Sequence, residues 1–387
     1  MNEIIKALSK EKLVGLHTVV SNDDEMYCGK ILQYNDKLLH FQAYDINGED
    51  YVIQVESEDI VWIEKNSADI ELLAKIIACK DIFPEKKQIT VTGSNIRKKL
   101  YYLWENEIPA VYHVGKKEYE AYLIGYDRKT IVLHSFSSDY NVDYGIVCFP
   151  INELKIVEIY TPALNRYPII YENHVKADKL DINSTNIQHD FLFKCMNNHL
   201  LVDMQNQMDT KDEVCLIGYV ESIETDIVRI RKINSDGIDC GLECYNIKDI
   251  ANFGFGGLYL DKIEYYHTKE LAKKAKDEII IINNMDELKS LLLDAKEKCS
   301  VISLISNETE EEYNESTGII IDVMGDWFHM TMYDDIEDHW FECYHKILDY
   351  SKLRRNSIRE LFIEAKMRRR MGARTAEELH LESGVSR

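Results

Sequence analysis

The chain has 387 residues, 45% of them hydrophobic, a length that suits three or four small domains better than one core. No apolar run approaches the roughly 18 residues of a membrane span: the run at 279–282 is far too short, and the acidic Met1-Asn-Glu start lacks the charge order of a secretory signal, so a cytoplasmic protein is expected. The formal net charge of −22 is uneven, because Lys352 to Arg374 holds nine basic and two acidic residues and leaves about −29 on the rest, a body that repels phosphate backbones at long range and favours basic partners.

Along the chain an amphipathic helix followed by short strands recurs four times, at a spacing of roughly 93 to 96 residues. Residues 1–92 open with a helix over 2–13, with Ile4, Ile5, Leu8 and Leu13 as its apolar stripe. Strands over 16–20, 29–34, 37–44, 50–55 and 60–63 follow, then a helix over 68–80; Asp45-Ile-Asn-Gly48 has hairpin chemistry. Residues 93–187 start at a candidate N-cap, Ser94, and place strands over 110–114, 118–126, 130–136, 145–149 and 154–159. The stretch 161–186, with Pro162 and Pro168, reads as an irregular linker. Residues 188–284 carry strands over 214–220, 227–233, 241–245 and 250–253, a hairpin at Asn234-Ser-Asp-Gly237, and a helix over 262–278. Residues 285–370 begin with a helix marked by Leu288, Leu291, Leu292 and Ala295, continue through strands over 301–306, 317–324, 327–333 and 339–344, and end in a basic helix over 357–370. From Met371 the composition changes, and 371–387 reads as an unstructured tail.

The first and last copies align without gaps. Gly29 to Phe41 lies over Gly318 to Met330, with His40 over His329, Tyr44-Asp45 over Tyr333-Asp334 and Tyr51 over Trp340. The middle copies share Leu123-Ile-Gly-Tyr126 and Leu216-Ile-Gly-Tyr219. Ile31, Leu123, Leu216 and Ile320 are accordingly expected to be buried in second strands.

A helix followed by five short, bent strands resembles the Sm-like family of small barrels and other SH3-type barrels. The resemblance is carried by second-strand glycines (Gly29 and Gly318, displaced to Gly125 and Gly218), the polar turn Asn35-Asp36, and terminal strands such as Asp59-Ile-Val-Trp-Ile63. It implies an α+β fold of four tandem modules, each an N-terminal helix plus a small, strongly bent five-stranded antiparallel barrel, with connecting helices. It also implies single-stranded RNA at the loops after strands two and four. Of the second-to-third-strand loops, only Asp127-Arg128-Lys129 is basic. The Arg-Gly or Lys-His pair that the family places before the last strand is missing at Glu56-Ser-Glu58, Pro150-Ile-Asn152, Asn246-Ile-Lys248 and Tyr344-His345.

The residues themselves favour a non-enzymatic binding protein that offers an acidic surface to a basic protein partner. Acidic residues recur at the first loop of every copy: Asp23, Asp24 and Glu25; Glu118 and Glu120; Asp212 and Glu213; Glu310, Glu311 and Glu312. An RNA binder is the alternative, using Arg128 and Lys129 or the basic helix with Arg354, Arg355, Arg359, Lys366, Arg368, Arg369 and Arg370. A helix packed on its own acidic body is the blander reading of those cations. A third possibility is a small-ligand or nucleotide sponge with pockets between modules. Nine cysteines without a C-x-x-C pair, among them Cys28, Cys148, Cys215 and Cys343 in apolar runs and Cys240 with Cys244 in a strand, read as buried reduced thiols rather than a zinc site. His189-Asp190 and Asp338-His339 are lone dyads, and no phosphate-binding loop or nucleophile elbow is present, so neither a cofactor nor a metal is expected.

Overall fold

The computed structural model describes residues 2–18, 26–35, 37–84, 86–176, 179, 186–206, 216–306, 315–335, 338–347 and 350–383, with the side chains of 2, 3, 206, 306 and 371–383 left aside. The first repeat forms α1 (Asn2–Leu8), β1 (Val14–Thr18), β2 (Tyr27–Tyr34), β3 (Leu38–Tyr44), β4 (Asp50–Glu56), β5 (Ile60–Lys65) and α2 (Ala68–Cys79). The second forms β6 (Ile89–Thr92), α3 (Asn95–Glu105), β7 (Ala110–Val114), β8 (Lys117–Tyr126), β9 (Thr130–Ser137), β10 (Val142–Pro150), β11 (Leu154–Ile159) and α4 (Pro162–Ile170). The third forms α5 (Ile187–Asn197), β12 (Leu201–Asn206), β13 (Leu216–Glu224), β14 (Ile227–Ile233), β15 (Asp239–Asn246), β16 (Ile250–Phe255), α6 (Leu258–Lys269) and α7 (Leu271–Lys274). The fourth forms β17 (Glu278–Ile281), α8 (Met285–Lys298), β18 (Val301–Ser306), β19 (Glu315–Met324), β20 (Trp327–Asp334), β21 (His339–Lys346), β22 (Tyr350–Arg355) and α9 (Ile358–Ser383).

The chain divides into two compact units: unit 1 is residues 1–78 with 273–387, and unit 2 is residues 79–272. Each holds one eleven-stranded antiparallel sheet, in the order β17-β22-β18-β19-β20-β21-β5-β1-β2-β3-β4 in unit 1 and β15-β14-β13-β12-β16-β10-β9-β8-β7-β11-β6 in unit 2. The four small barrels expected from the sequence are therefore not formed. Among the described residues no repeat closes its fourth strand onto its own fifth. In unit 1 β21 pairs with β5 instead, and in unit 2 β10 pairs with β16. Alternating apolar residues fix which face of a strand is buried, but leave open which strand takes its edge.

The repeat itself survives as a register. In each copy the second strand bulges at one residue where it pairs with the third: Leu32, Ile124, Glu221 and Ile321. Gly29, Gly218 and Gly318 each stand three residues before that bulge. A Cβ there would come within 2.0, 2.4 and 2.1 Å of the backbone oxygens of Gln42, Arg231 and Thr331. Gly218 is thus not displaced, and the shared Leu-Ile-Gly-Tyr segments of the middle copies are not structurally equivalent: Leu123 matches Val220, not Leu216. Leu123, Leu216 and Ile320 are buried, and Ile31 is partly so. Tyr44 and Tyr333 are equivalent, but Tyr44 pairs with Asp50 while Tyr333 pairs with Trp340. The fourth-copy hairpin is one residue longer, so Trp340 matches Asp50 and Tyr51 falls on the other face.

Local chemistry explains the elements. In α8 the Asn284 side chain accepts from Glu287 N at 2.9 Å and Glu287 accepts in return from Asn283 N at 2.9 Å, a capping pair that starts the helix. Leu288, Leu292 and Ala295 then pack on Ile302, Leu304 and Phe328, each buried Leu or Ile contributing about 1.5–3 kcal/mol. The two expected hairpins form alike: Asp45 and Asn234 accept backbone N–H bonds from within their turns, and Gly48 and Gly237 supply φ of 78° and 76°. The expected linker contains α4, with Thr161 as its N-cap and Pro162 in its first turn. Strands β6, β12, β17 and β22 were absent from the sequence reading, and α9 runs past Met371 to Ser383. No helix among the described residues is long and apolar enough to cross a membrane.

Candidate functional site

The candidate site of unit 2 sits where its two repeats are sewn together. Ile146, Val147 and Cys148 of β10 pair with Phe255, Gly254 and Phe253 of β16. One apolar core crosses this seam, packing Ile124, Val132 and Cys148 of the second repeat with Phe191, Val202 and Phe253 of the third. At one end of the seam, turns from both repeats and the N-terminal part of α3 surround a cavity of about 1070 Å³.

Four cationic side chains line it: Arg97 from α3, Arg128 and Lys129 from the β8–β9 turn, and Lys248 from the turn before β16. All four are exposed, and among the described residues none makes an ion pair. Asp127 and Asp226 lie in the same wall. The Asp127 carboxylate is occupied by backbone: Oδ1 accepts from Lys129 N at 2.7 Å and Thr130 N at 2.6 Å, and Oδ2 accepts from Ile187 N at 3.4 Å. It fastens the turn to the start of α5, and with Asp226 it leaves the four cations in excess of two carboxylates in this wall. The Ile151 N–H bond to the Lys129 carbonyl (2.6 Å) and that of Ile247 to the Asp226 carbonyl (2.7 Å) fix the two turns from each side. Tyr126 also lines the cavity, and burial raises its hydroxyl above the ordinary tyrosine value.

Unit 1 has a matching seam, β21 on β5, with different electrostatics. Its β19–β20 turn presents Asp326, which pairs with Lys289 of α8 at 3.1 Å, and Lys346 donates to the Glu58 carbonyl at 3.3 Å. The cations there are already engaged.

The basic residues of the fourth repeat are also engaged. Arg354 pairs with Glu315 (2.6 Å) and Glu360 (3.1 Å), Arg355 with Asp294 (3.1 Å), and Arg359 with Glu315 (3.3 Å) and Asp335 (3.1 Å). Lys366 pairs with Asp338 at 2.8 Å and Arg368 with Glu364, while the Arg370 guanidinium lies 5.8 Å from the Trp340 ring centre; Arg369 is not free either. Arg354, Arg359 and Lys366 tie α9 to its own unit, Arg355 joins β22 to α8, and Arg368 pairs within α9.

Of the acidic residues singled out in the sequence, Asp23, Asp24, Glu25, Asp212, Glu213, Glu310, Glu311 and Glu312 lie outside the described residues. Glu118 and Glu120 stand in β8, not in a loop. Glu118 lies 3.0 Å from His113, and Glu120 accepts from Ser138 N (2.7 Å) and Oγ (2.8 Å), with burial raising its carboxyl. Cys28, Cys148 and Cys343 are buried and Cys215 lies outside the described residues, but Cys240 and Cys244, expected buried, are exposed on β15. His339 bonds to the Asn66 carbonyl (2.7 Å), and no group of His, Cys, Asp and Glu among the described residues is arranged to hold a metal.

Sequence reasoning found Arg128 and Lys129 by their turn but not Arg97 or Lys248, which the chain order separates widely and only the seam unites. Compared with known proteins, the chain matches no family model and no curated protein.

Proposed function

We propose that this is a non-enzymatic binding protein whose unit 2 takes a phosphate-bearing ribonucleotide, free or within a single strand, at the end of the β10–β16 seam. The observation that supports it is the set of four cations, Arg97, Arg128, Lys129 and Lys248, that make no ion pair among the described residues around one cavity of a chain with net charge −22. Anionic phosphate supplies the missing counter-charge, and cation–phosphate contacts are charge-assisted. The volume of about 1070 Å³ far exceeds a bare phosphate and suits a ligand that also carries a base and sugar. A reducing, cytoplasmic setting belongs to the same proposal, since the described cysteines are free thiols.

Calorimetric titration with a nucleoside triphosphate and with a short single-stranded RNA tests it and separates the two sources. Arg128→Glu with Lys129→Glu should remove the binding. Retention of full affinity in that variant, or no heat with either ligand, rules the reading out.

A second reading, an acidic surface for a basic protein partner, draws on one observation. The densest run of basic residues is spent on internal pairs, so the acidic excess is left for other partners. Capture of a basic protein that is released as salt rises supports it; absence of any salt-sensitive partner removes it.

A further inference from the structure

We propose that the outer edge of β15 is a self-association site, on which a second copy of this chain pairs antiparallel about a two-fold axis through Cys244.

β15 and β10 are the same strand of two repeats. Each carries a bulge followed by a glycine of positive φ: Tyr144 then Gly145 (84°) in β10, Cys240 then Gly241 (96°) in β15. In β10 the three residues after that glycine, Ile146, Val147 and Cys148, accept β16, and Cys148 is 2% exposed. Their counterparts Leu242, Glu243 and Cys244 have no such strand. Among the described residues β15 pairs with β14 alone, Leu242 is 58% exposed, and Cys244 is exposed as well. An edge of this kind, with an apolar side chain and open N–H and C=O groups, is a template for another strand.

The strand type that covers β10 is not free to cover β15 in a second molecule. The remaining fifth strands, β11 and β22, already carry β6 and β17 on their other edges. Of the edge strands β4, β6, β15 and β17, β15 paired with itself covers the same edge of both copies with one closed two-fold contact, and its sequence narrows the register. Facing residues of an antiparallel pair share a face, so the axis must pass through a residue. On Glu243 it would oppose two carboxylates; on Leu242 it would run the pair into the bulge at Cys240. On Cys244 it places Glu243 opposite Tyr245 and Leu242 opposite Asn246, with no like charges facing. Tyr245 donates to Glu243 within one chain and Lys232 pairs with the same carboxylate at 3.1 Å, so in this register the Tyr245 hydroxyl can exchange its own Glu243 for that of the second copy with the carboxylates still paired.

Sedimentation equilibrium of the full chain in reducing buffer, over a concentration series, should show a reversible monomer–dimer equilibrium that Leu242→Lys shifts at least tenfold toward monomer. Diamide provides the register test. Two facing Cys244 thiols give up two protons and two electrons to it and form one disulfide, so crosslinked dimer should appear in the unmutated chain, persist in Cys240→Ser and Cys299→Ser, and vanish in Cys244→Ser. A chain that stays monomeric, a dimer insensitive to Leu242→Lys, or a crosslink that survives Cys244→Ser overturns the proposal.

Discussion

The carboxylate of Asp203 occupies the place where Gly254 would carry a side chain. The two residues are register partners in β12 and β16, and a Cβ on Gly254 would stand 2.5 Å from Asp203 Oδ1. An acid is thereby folded into the seam that positions the candidate site. Burial raises its carboxyl above the ordinary aspartate value, against backbone hydrogen bonds and the nearby Lys117 ammonium, which pull the other way.

The pH dependence follows from that direction. Between the ordinary and the raised value the folded state holds a proton that the unfolded state has lost, so the contribution of Asp203 to stability falls as pH rises through that window. Asp203→Asn keeps the shape and removes the charge. It should raise the melting temperature of unit 2 at pH 7 by roughly 2–4 °C, as about 1 kcal/mol does in a domain near this size. The gain should disappear below the ordinary carboxylate range. Calorimetric melts at both pH values check it, and an equal gain at acid pH would show that the charge is not the cause.

The second-strand glycines make a stronger demand. At Gly318 and Gly29 the obstacle to a Cβ is a backbone oxygen, of Thr331 and Gln42, which cannot turn aside as a side chain can. Gly318→Ala and Gly29→Ala should each cost about 1–3 kcal/mol in urea unfolding. Ile321→Ser, at the exposed bulge three residues on, should change stability by no more than about 0.5 kcal/mol. A neutral Gly318→Ala would mean that the strands can separate at no cost, and the shared register would lose its physical basis.

How far the fold could be read from the sequence depends on which signals are local. Hairpin residues such as Asp45 and Gly48 act within a few positions, so most strands and two turns were legible. The bulge was not, because it inserts a residue without disturbing composition: Leu123-Ile-Gly-Tyr126 and Leu216-Ile-Gly-Tyr219 look alike yet stand in different registers. Strand β12 was hidden by its own Asp203 and Gln205, polar residues that interrupt the alternation of Leu201, Val202 and Met204. The barrels failed for a related reason. Nothing in β10 or β21 states that its edge takes the fifth strand of another repeat, and that pairing is what brings Lys248 and Arg97 to Arg128 and Lys129.

In unit 1 the anchor of α9 should be sensitive to acid. Burial works against ionisation of Glu360, but bonds donated by Ser303 and by Ser357 N (2.7 Å), together with Arg354, outweigh it and hold the carboxyl below its ordinary value. The stability it contributes is present above the ordinary carboxylate range and is lost as pH falls through its lowered value. Glu360→Gln removes one charge and leaves Arg354 short of a partner, at an expected cost of roughly 2–4 kcal/mol at pH 7. The difference from the unmutated chain should shrink as pH falls toward 3 in a denaturation series; a constant difference would assign the loss to shape instead of charge.

The last prediction separates the candidate site from charge in general. If phosphate groups lie among the four cations of unit 2, each contact releases a counterion, and for a single strand the logarithm of affinity falls with the logarithm of salt with a slope of about −0.7 per contact. Arg97→Glu with Lys248→Glu removes two contacts, one from each repeat, so the slope should become shallower by about 1.4 and the affinity at low salt should fall at least tenfold. Lys289→Glu adds the same kind of negative charge at the matching seam of unit 1, where the lysine is already paired with Asp326. It should leave the slope unchanged, because no phosphate contact is lost. Fluorescence anisotropy of a labelled single-stranded RNA across a salt series measures both. Equal loss in the two variants would mean that the ligand feels only the net charge of the chain. Loss confined to the Arg97 and Lys248 variant places it at the β10–β16 seam, where both repeats of unit 2 contribute a cation.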